Sequence, residues 1–561
     1  SARTLRLLRT VRHLRPSQVI HRLRLRAQRR LIVMFPNVAT RILRRRGLGR
    51  AAPGWPPGYR PLQEVYAEGC PSAEENALGR FTFFGRTLEL GSPADWNPRA
   101  ADQLWRFHLH YFDWVWSFVN HSNRAWARNH FQQLWMSWRS QSRLGRLDTW
   151  SPYVTSLRAW NLAGAFGALV EGSAIEDDVL AELRLHAGFV RWNLELDVGG
   201  NHLLKNVKAL IGLGTFLGDE ALLRKGLQLE QDILRNQVLH DGGHYERSPS
   251  YHCQVLEDLD DLARLKRSAG LTESRQVIES LASMRLWLGS VLMPDGRLPL
   301  LNDSWHVSAS RIQLLRPTPD HRHLSVLGDS GYVVVRPRPR TQLVLDVGPP
   351  GPPDLPAHSQ ADALSFVLSV DERDVLIDTG VTTYVASKAR SYERSTRAHS
   401  TLEIDDTDQS EVWGAFRMGH RANVELLLAD DSADGFLVSG RHDGYRRLPG
   451  SPIHHRTWQG SANGVTVTDL ITGAGRHVVT GRLILGSGTV VGAPDGSVEA
   501  AGCIFEAPTV NGFNTRWTIG AADVGDGRGA CVRVSQLCVE HALELPAELR
   551  MRIRFPPSSS V

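Results

Sequence analysis

Three short polar segments interrupt otherwise apolar sequence, and their residue types suit acid–base chemistry at a carbon atom. They are residues 199–206, 241–252 and 356–366. Together they supply side-chain amides, several imidazoles and two phenols. A phenol or an imidazole can take a proton from carbon and return one to a leaving oxygen, while an amide stabilises the negative charge that develops. This combination favours removal of a carbon-bound proton beside a carboxylate.

The first segment places polar side chains on one face of a predicted helix. Asn201 and His202 follow two glycines and open an apolar helical pattern. His202 and Asn206 are spaced to share a helix face, with Lys205 beside them. An anionic substrate would supply the polar partner that this face needs. A role for Asn201 as the N-cap of the helix is the alternative.

The second segment holds two tyrosines among groups that are cationic or close to it. Tyr245 and Tyr251 are accompanied by His244, Arg247 and His252. Positive neighbours favour a phenolate, and a tyrosine that acts first as a base and then as an acid near neutral pH needs that help, because its free pKa is about 10. Packing in the core is the more usual role of a tyrosine and remains the alternative.

The third segment precedes a predicted strand and contributes His358. Asp378 and His399 follow at the ends of predicted neighbouring strands, where an aspartate and a histidine could share one metal ion, with zinc the obvious candidate. Arg394 belongs to a polar stretch that is predicted to form the rim of a cleft, with a solvated loop as the alternative.

The elements that must position these segments change character along the chain. From about residue 100 to 315, apolar residues recur at spacings of three and four, which is the period of an amphipathic helix. Successive helical hairpins without a short fixed repeat indicate an incomplete (α/α) toroid. The predicted helices are 103–120, 124–141, 156–170, 177–197, 202–217, 220–239, 254–269 and 273–292.

After about residue 325 the apolar period becomes two, which predicts β-strands. Turn residues separate these strands and no helical pattern intervenes, so an antiparallel β-sandwich is expected. The predicted class is therefore a multidomain α and β protein, with a basic N-terminal arm and linker (1–100), a toroid domain (101–320) and a β-sandwich domain (321–561). The predicted strands are 331–336, 341–346, 363–369, 374–378, 422–428, 464–469 and 550–554.

The N-terminal arm is strongly basic. Residues 1–50 contain fifteen Arg and no Asp or Glu. Between residues 5 and 14, Arg recurs at every third position, which on a helix gives one cationic and one apolar face. Such a segment could contact an acidic polymer or a membrane surface. Packing on the acidic remainder of the protein is the alternative.

Composition excludes several classes of protein. Hydrophobic residues at 42% with 22% charged residues are typical of a soluble globular chain. The sequence lacks an apolar run of the roughly 18 residues that a membrane-spanning helix needs. It also lacks phosphate-binding and dinucleotide-binding fingerprints and a nucleic-acid-binding module. Hydrolysis of a glycosidic bond stays open, because Asp241, Glu246, Asp303 and Asp362 could supply two facing carboxylates.

Several motifs, in order along the chain, resemble those of the heparinase II/III-like polysaccharide lyases. The resemblance runs from about Trp105 to Arg421. It implies an (α/α) toroid followed by a β-sandwich. It also implies β-elimination at a uronic acid residue of an acidic polysaccharide, which leaves a 4,5-unsaturated end. The motifs are Gly200-Asn-His-Leu-Leu, Asp241-Gly-Gly-His-Tyr-Glu-Arg-Ser-Pro, Gly328-Asp-Ser-Gly-Tyr, Ala361-Asp-Ala-Leu-Ser-Phe and Arg397-Ala-His-Ser-Thr-Leu.

The resemblance also implies roles for individual residues. Asn201 would bind the uronate carboxyl with the help of His202, Tyr251 would be the catalytic tyrosine with Tyr245 in reserve, and His358 would be the alternative base. The predicted catalytic residues are Asn201, His202, Tyr251 and His358, and the predicted substrate contacts are Tyr245, Arg247, Lys205, His252 and Arg394.

The chain departs from the family pattern at two of these positions. Where the family commonly has His-x-His-Ala-Asp, this chain has Gln360 as the third residue of the motif. Glutamine is a poor zinc ligand, so Asp378 and His399 are left as an incomplete metal set, and no cofactor is required for the chemistry. Lys205 stands where relatives often carry an acid, which would make the cleft more cationic.

The sequence therefore predicts a lyase whose partner is an acidic polysaccharide, such as a glycosaminoglycan or a bacterial exopolysaccharide. A glycoside hydrolase on the same scaffold and a polysaccharide-binding protein without turnover are the alternatives. Nucleic acid and an integral membrane segment are not expected. The resemblance implies a periplasmic or secreted protein, although the first residues show no signal peptide and a cytoplasmic location stays open.

Overall fold

The computed structural model describes residues 2–46, 53–62, 72–145, 147–432, 435–527 and 529–557. Contacts within the chain define two compact units. Unit 1 consists of Ser1–Leu14, Val238–Cys253 and Ala282–Val561, and unit 2 consists of Arg15–Gln237 and Gln254–Leu281. The parts of the predicted arm and linker at 47–52 and 63–71 lie outside the described residues.

Helices account for most of the described residues before residue 316, and one short helix lies among the later strands, where none was predicted. In chain order they are α1 (Ala2–Val11), α2 (Pro16–Met34), α3 (Pro36–Arg46), α4 (Ala73–Ala77), α5 (Gln103–Tyr111), α6 (Val115–Val119), α7 (Arg124–Gln141), α8 (Leu147–Trp150), α9 (Pro152–Leu169), α10 (Glu176–Trp192), α11 (Gly200–Phe216), α12 (Glu220–Gln237), α13 (Pro249–Ser268), α14 (Arg275–Val291), α15 (Ala309–Leu315) and α16 (Lys388–Glu393).

Two of these helices, α9 and α11, form the centre of unit 2. Most of their side chains are buried, as expected for helices that are apolar on nearly every face. Glycines let neighbouring elements approach them closely. A Cβ atom at Gly164 or Gly212 would collide with a tryptophan ring, and one at Gly226 with Ile211. Close packing, more than helix propensity, therefore holds this unit together.

One predicted helix, 103–120, is two helices in the structure. It is interrupted at Phe112, whose φ of 62° is left-handed. The indole N–H of Trp114 donates to the carbonyl oxygen of Leu109 at 3.0 Å and satisfies a group that the break exposes. The other predicted helices lie within a few residues of observed ones.

Strands follow from residue 324 onward, after an early hairpin. They are β1 (Arg80–Phe83), β2 (Arg86–Glu89), β3 (Leu324–Leu327), β4 (Tyr332–Arg338), β5 (Thr341–Asp346), β6 (Phe366–Val370), β7 (Arg373–Leu376), β8 (Leu402–Ile404), β9 (Val412–Trp413), β10 (Arg417–Met418), β11 (Val424–Ser432), β12 (Gly435–His442), β13 (Ile453–Ser461), β14 (Gly464–Thr472), β15 (Arg476–Ile484), β16 (Val490–Gly492), β17 (Val498–Ala500), β18 (Cys503–Phe505), β19 (Thr509–Val510), β20 (Phe513–Asn514), β21 (Thr518–Gly525), β22 (Cys531–Glu544) and β23 (Ala547–Arg554).

Among the described residues of unit 1, the strands after β2 build three larger antiparallel sheets. One has the order β3-β4-β5-β6-β7 and another β21-β22-β15-β8. The third follows β11-β12-β13-β14-β23-β18-β17-β16, with β19 and β20 attached. A single apolar core takes side chains from all three, including Phe366, Trp458 and Leu537. Sheets that bury one face against each other are the arrangement of a β-sandwich.

A buried ion pair joins the neighbouring strands β13 and β14. Arg456 donates to both carboxylate oxygens of Asp469, at 2.6 and 2.9 Å, and to the carbonyl oxygens of Leu364 and Ser400. Burial raises the pKa of Asp469, but Arg456 and His454 outweigh it and hold that pKa below its usual value. Because the unfolded pKa is about 4, this stabilisation is present above pH 4 and is lost as the pH falls toward the lower folded pKa.

We expect replacement of Asp469 by alanine to lower the free energy of unfolding by about 3–5 kcal/mol, because it leaves the Arg456 guanidinium buried without its counter-ion. Denaturant unfolding of the two proteins at neutral pH measures the difference. Asp430→Ala, at an exposed position of β11, is the matched control and should change stability by no more than about 0.5 kcal/mol. Equal effects of the two substitutions would contradict the assignment.

Candidate active site

Tyr251 and His358 lie face to face in unit 1. Tyr251 is in the first turn of α13, and His358 ends the short 3-10 turn Pro356–His358. Their ring centroids are 3.8 Å apart and the ring planes meet at 28°. Each residue is only 8–9% exposed. The structure therefore brings together the predicted catalytic tyrosine and the predicted histidine of the β-domain.

A buried carboxylate and guanidinium fix the orientation of the His358 ring. Nδ1 of His358 lies 3.2 Å from Oδ2 of Asp303. Arg390 donates to both oxygens of Asp303, at 2.6 and 2.7 Å, and both side chains are fully buried. Burial raises the pKa of Asp303, but Arg390 and His358 outweigh it and hold that pKa below its usual value. An ionised Asp303 only accepts hydrogen bonds, so Nδ1 of His358 carries a proton.

The second ring nitrogen of His358 faces another buried acid. Nε2 lies 3.3 Å from Oε2 of Glu246, a residue that is 1% exposed. The imidazole thus has one carboxylate near each nitrogen. From the sequence, Asp303 and Glu246 were predicted only as carboxylates available to a hydrolase, since their chain positions give no sign that they share a histidine.

Tyr384 completes the surroundings of the Tyr251 hydroxyl. The two hydroxyl oxygens are 3.0 Å apart. The Arg390 guanidinium lies 5.2 Å from the centre of the Tyr384 ring, whose other neighbours include Phe416. Burial raises the pKa of Tyr384 well above its ordinary value, so this phenol stays protonated. Its hydroxyl can therefore donate to Tyr251 when Tyr251 has lost its proton. Neither Tyr384 nor Arg390 was predicted from the sequence.

Arg394, a predicted substrate contact, is fully buried and has a structural role. Its guanidinium donates to the carbonyl oxygens of Ser359, Gly414 and Arg417 at 3.1–3.3 Å. Burial lowers the pKa of Arg394 to about 10. The side chain ties the turn that carries His358 to the β9–β10 hairpin. This placement argues against the predicted substrate contact and in favour of support for His358.

His252, also predicted to contact substrate, is a core residue in the structure. Nδ1 accepts from the backbone N–H of His244 at 3.2 Å, and Nε2 lies 3.0 Å from the carbonyl oxygen of Met284. Burial lowers the pKa of His252 to about 3, which keeps the ring neutral. The ring packs on Trp287. With both nitrogens bonded to the backbone, His252 is placed to support the fold rather than to bind an anion.

Tyr245 and Arg247 lie in the same segment of unit 1. The Tyr245 ring meets His244 edge-on, with centroids 5.1 Å apart. Arg247 has a left-handed φ of 60°, and its guanidinium donates to the carbonyl oxygens of Asp329 and Pro349. Their predicted contacts with substrate stay predictions.

In unit 2, the first turn of α11 carries Asn201 and His202. Gly199 is the N-cap of this helix, so the alternative in which Asn201 caps it is wrong. The His202 side chain is 39% exposed, and its Nδ1 lies 3.2 Å from Oε1 of Glu195. Glu195 also accepts from the amide of Asn206 at 3.0 Å. Glu195, which sequence analysis missed, thus orients His202 and joins it to Asn206.

Lys205, another predicted substrate contact, is committed to a buried ion pair. Its Nζ lies 2.7–2.8 Å from the two carboxylate oxygens of Asp258. Lys208 contacts the same carboxylate at 3.0 Å and Asp261 at 2.9 Å. Lys205 itself is 6% exposed. The Lys205 ammonium therefore neutralises a buried acid inside unit 2, which argues against the predicted contact with an acidic substrate.

Asp378 and His399, the predicted metal pair, bind each other. Nδ1 of His399 lies 3.0–3.1 Å from the two oxygens of Asp378, and both residues are fully buried. The amide of Gln360 donates to Asp303 and to the carbonyl oxygen of Gly380. Within the described ranges, no three His, Cys, Asp or Glu side chains are grouped so that they could hold a metal ion. This donor set does not fit zinc.

We expect Arg394→Lys to lower the free energy of unfolding by about 3 kcal/mol, because an ammonium cannot reach the several carbonyl oxygens that the guanidinium satisfies. Denaturant unfolding tests this, with the exposed Arg417→Lys as the matched control, for which the expected change is at most about 0.5 kcal/mol. Unchanged stability together with weaker binding to glycan would instead restore the predicted substrate contact.

Two family models cover most of the chain. Residues 72–317 match the model for the heparinase II/III N-terminus. Residues 319–542 match the model for the heparinase II/III-like C-terminal region. The junction between the two matches falls between α15 and β3, where the helical part of the chain gives way to strands.

Two curated relatives match part of the chain. A heparin-sulfate lyase of Pedobacter heparinus is 24% identical over 366 residues, which cover 57% of this chain and 55% of that protein. The FtsZ-localized protein C of Caulobacter vibrioides is 26% identical over 392 residues, which cover 66% of each protein. The chain thus spans about half the length of that lyase and about two thirds of the second relative.

Solved structures show the same fold. A crystal structure of heparinase III superposes with a TM-score of 0.76 at 16% sequence identity, covering 94% of this chain and 92% of that one. The predicted class, an (α/α) toroid followed by an antiparallel β-sandwich, is confirmed. In the ranges that the structure describes, none of the helices is both long and apolar enough to cross a membrane.

Proposed function

The chain belongs to the heparinase II/III-like family, and from this premise we propose that it is a lyase that cleaves an acidic polysaccharide by β-elimination at a uronic acid. The observation that carries the proposal is the Tyr251–His358 pair, in which a phenol lies against an imidazole that Asp303 and Arg390 hold in a fixed orientation. A base and an acid that are positioned in advance are what proton transfer at carbon needs.

The proposed reaction moves one proton and breaks one carbon–oxygen bond. A base takes the C5 proton of the uronate, the electron pair forms the C4–C5 double bond, and the C4–O bond breaks. The proton taken from C5 is balanced by one given to the leaving oxygen, so the reaction consumes no water. We assign both transfers to Tyr251, with His358 as the alternative base. Tyr384 supports this role, because its hydroxyl can donate to the deprotonated Tyr251 oxygen and so favour the phenolate.

The negative charge of the intermediate must be stabilised on the uronate carboxyl. By family resemblance we assign this task to Asn201, with His202 assisting. The contact between Glu195 and His202 supports the assignment, since it fixes the imidazole by one nitrogen and leaves an exposed edge. Tyr245 and Arg247 are the remaining proposed substrate contacts.

One feature of the site favours elimination over hydrolysis, and another argues against a role for a metal ion. A glycosidase needs two carboxylates that are free to act on the substrate, whereas Asp303 is fully buried and bound by Arg390 at both oxygens. Asp378 and His399 bind each other and do not fit a zinc site. We therefore propose that no metal takes part.

The acidic polysaccharide substrate and the family resemblance together favour a periplasmic or secreted location.

The first test is a far-ultraviolet absorbance time course on heparan sulfate, heparin, hyaluronan, chondroitin sulfates and alginate. We expect absorbance to rise on at least one of them, because a 4,5-unsaturated uronate absorbs there. Tyr251→Phe should lower the initial rate at least about a hundredfold, since it removes the group that transfers the proton. A chelator should leave the wild-type rate unchanged.

Tyr445→Phe is the matched control, because it also removes a buried hydroxyl, one that donates to the carbonyl oxygen of Leu402. It should keep the wild-type rate. Reducing ends that form without absorbance would show hydrolysis. Retention on a glycan without either product would show a binding protein, and a full rate in Tyr251→Phe would remove this residue from the mechanism.

We expect Asp303→Asn to lower the rate without abolishing glycan binding. The neutral amide orients His358 less strongly and leaves Arg390 with Glu393 as its remaining buried counter-ion. Initial rates and glycan affinity, measured at a temperature where both proteins are folded, separate the two effects. Loss of binding with no loss of rate at saturation would contradict a role in orienting His358.

A further inference from the structure

The outward face of α2 in unit 2 is apolar. Gln18, Leu25 and Ile32 lie on one face of this helix and are buried. With 3.6 residues per turn, the diametrically opposite face carries a second set of apolar residues, which we call the outer stripe. Its large side chains are 48–64% exposed. The outer stripe consists of Ile20, Leu23, Ala27, Leu31 and Met34.

The outer stripe cannot be covered by a small rotation of the helix, because α2 and α3 are anchored to unit 2. Ile32, Ala39 and Leu43 join an apolar cluster with side chains of α8 and α10. The backbone of α3 at Leu43 lies so close to Gly188 that a Cβ atom there would collide with it. The helix therefore buries one apolar face in its own unit and leaves the other in solvent.

Arginines border the outer stripe on both sides. Helical spacing places Arg24 along one edge and Arg26 and Arg30 along the other, and all three are exposed. Residues 1–50 contain no Asp or Glu, so every charged side chain that α2 itself contributes to this surface is positive. Long arginine side chains can lie along an apolar surface and keep their charged ends at its border. A large apolar stripe on a soluble protein marks an interaction site.

We propose that the outer stripe binds the surface of an anionic lipid bilayer, with α2 lying in the plane of the interface. A bilayer can bind both parts of this surface. Its acyl chains accept the apolar side chains, and its anionic headgroups attract the flanking arginines. An acidic polysaccharide offers the charge but no apolar phase. Phe35, Val38 and Ile42, which are 41–57% exposed, extend the apolar surface from the end of α2 along α3.

Co-sedimentation with vesicles tests the proposal on the full chain. Wild type should bind vesicles of phosphatidylcholine with phosphatidylglycerol and bind phosphatidylcholine alone much more weakly. Leu23→Ser combined with Leu31→Ser should lower the partition coefficient at least about tenfold. Arg24→Gln combined with Arg30→Gln should lower it about fivefold for each arginine. Neither pair should change the initial rate of the proposed lyase, because these residues lie outside the candidate active site.

The matched control is Leu427→Ser with Leu428→Ser, two exposed leucines of β11 in unit 1. This pair should leave vesicle binding unchanged. Loss of binding only in the arginine variant would show simple charge attraction and overturn the proposal. Absence of binding to both kinds of vesicle would also overturn the proposal. A third contrary result would be a wild-type dimer in sedimentation that Leu23→Ser with Leu31→Ser converts to a monomer, since the outer stripe would then bind a second copy of the chain. Vesicle binding needs no turnover, so a negative result here says nothing against the lyase.

Discussion

The candidate active site depends on one buried pair of charges, Asp303 and Arg390. Two charges without solvent are costly unless each is fully bonded to its partner, and here the guanidinium binds both carboxylate oxygens. The pair serves two functions at once. Through Asp303 it fixes the imidazole of His358, and through Arg390 it lies against the ring of Tyr384. Loss of either charge would therefore disturb the surroundings of Tyr251 on both sides.

Two other buried arginines of unit 1 also hold its segments in place, and they do so by binding carbonyl oxygens of distant residues. Arg394 holds the turn of His358 to the β9–β10 hairpin, and Arg456 joins β14 to the ends of two other segments in the sandwich core. A planar group with five donors can satisfy several backbone oxygens that β-structure leaves unpaired. The loops around His358 are thus held mainly by polar contacts, while the sheets behind them are held by apolar packing.

The fold could be predicted from the sequence because its two parts have different apolar periods. Amphipathic helices such as α10 and α12, and alternating strands such as β14 and β23, show their pattern directly. The break at Phe112 could not be predicted, since it depends on a left-handed residue that tertiary packing stabilises. Tyr251 and His358 were found because they lie in distinctive motifs.

Other residues of the site could not be identified from the sequence, and two predicted substrate contacts have partners within the protein that the sequence does not reveal. Tyr384 and Arg390 lie in ordinary-looking sequence, and only the folded chain brings them to Tyr251 and Asp303. Arg394 and Lys205 were expected to bind an anionic substrate because they are cationic. Their counter-charges or carbonyl partners come from distant parts of the chain, and a charged residue in a sequence does not reveal whether its partner is a ligand or the protein itself.

The buried lysine pairs have a practical consequence for handling the protein. The chain has five lysines, and three of them, Lys205, Lys208 and Lys266, are closed into ion pairs with buried acids. Lys388 is exposed and begins α16, the short helix that carries Arg390. Reagents that couple to amines, including those used to attach proteins to sensor chips, would therefore react at the half-exposed Lys225 of α12 and at Lys388, which lies beside the group that orients His358. Attachment through an affinity tag leaves that helix unmodified.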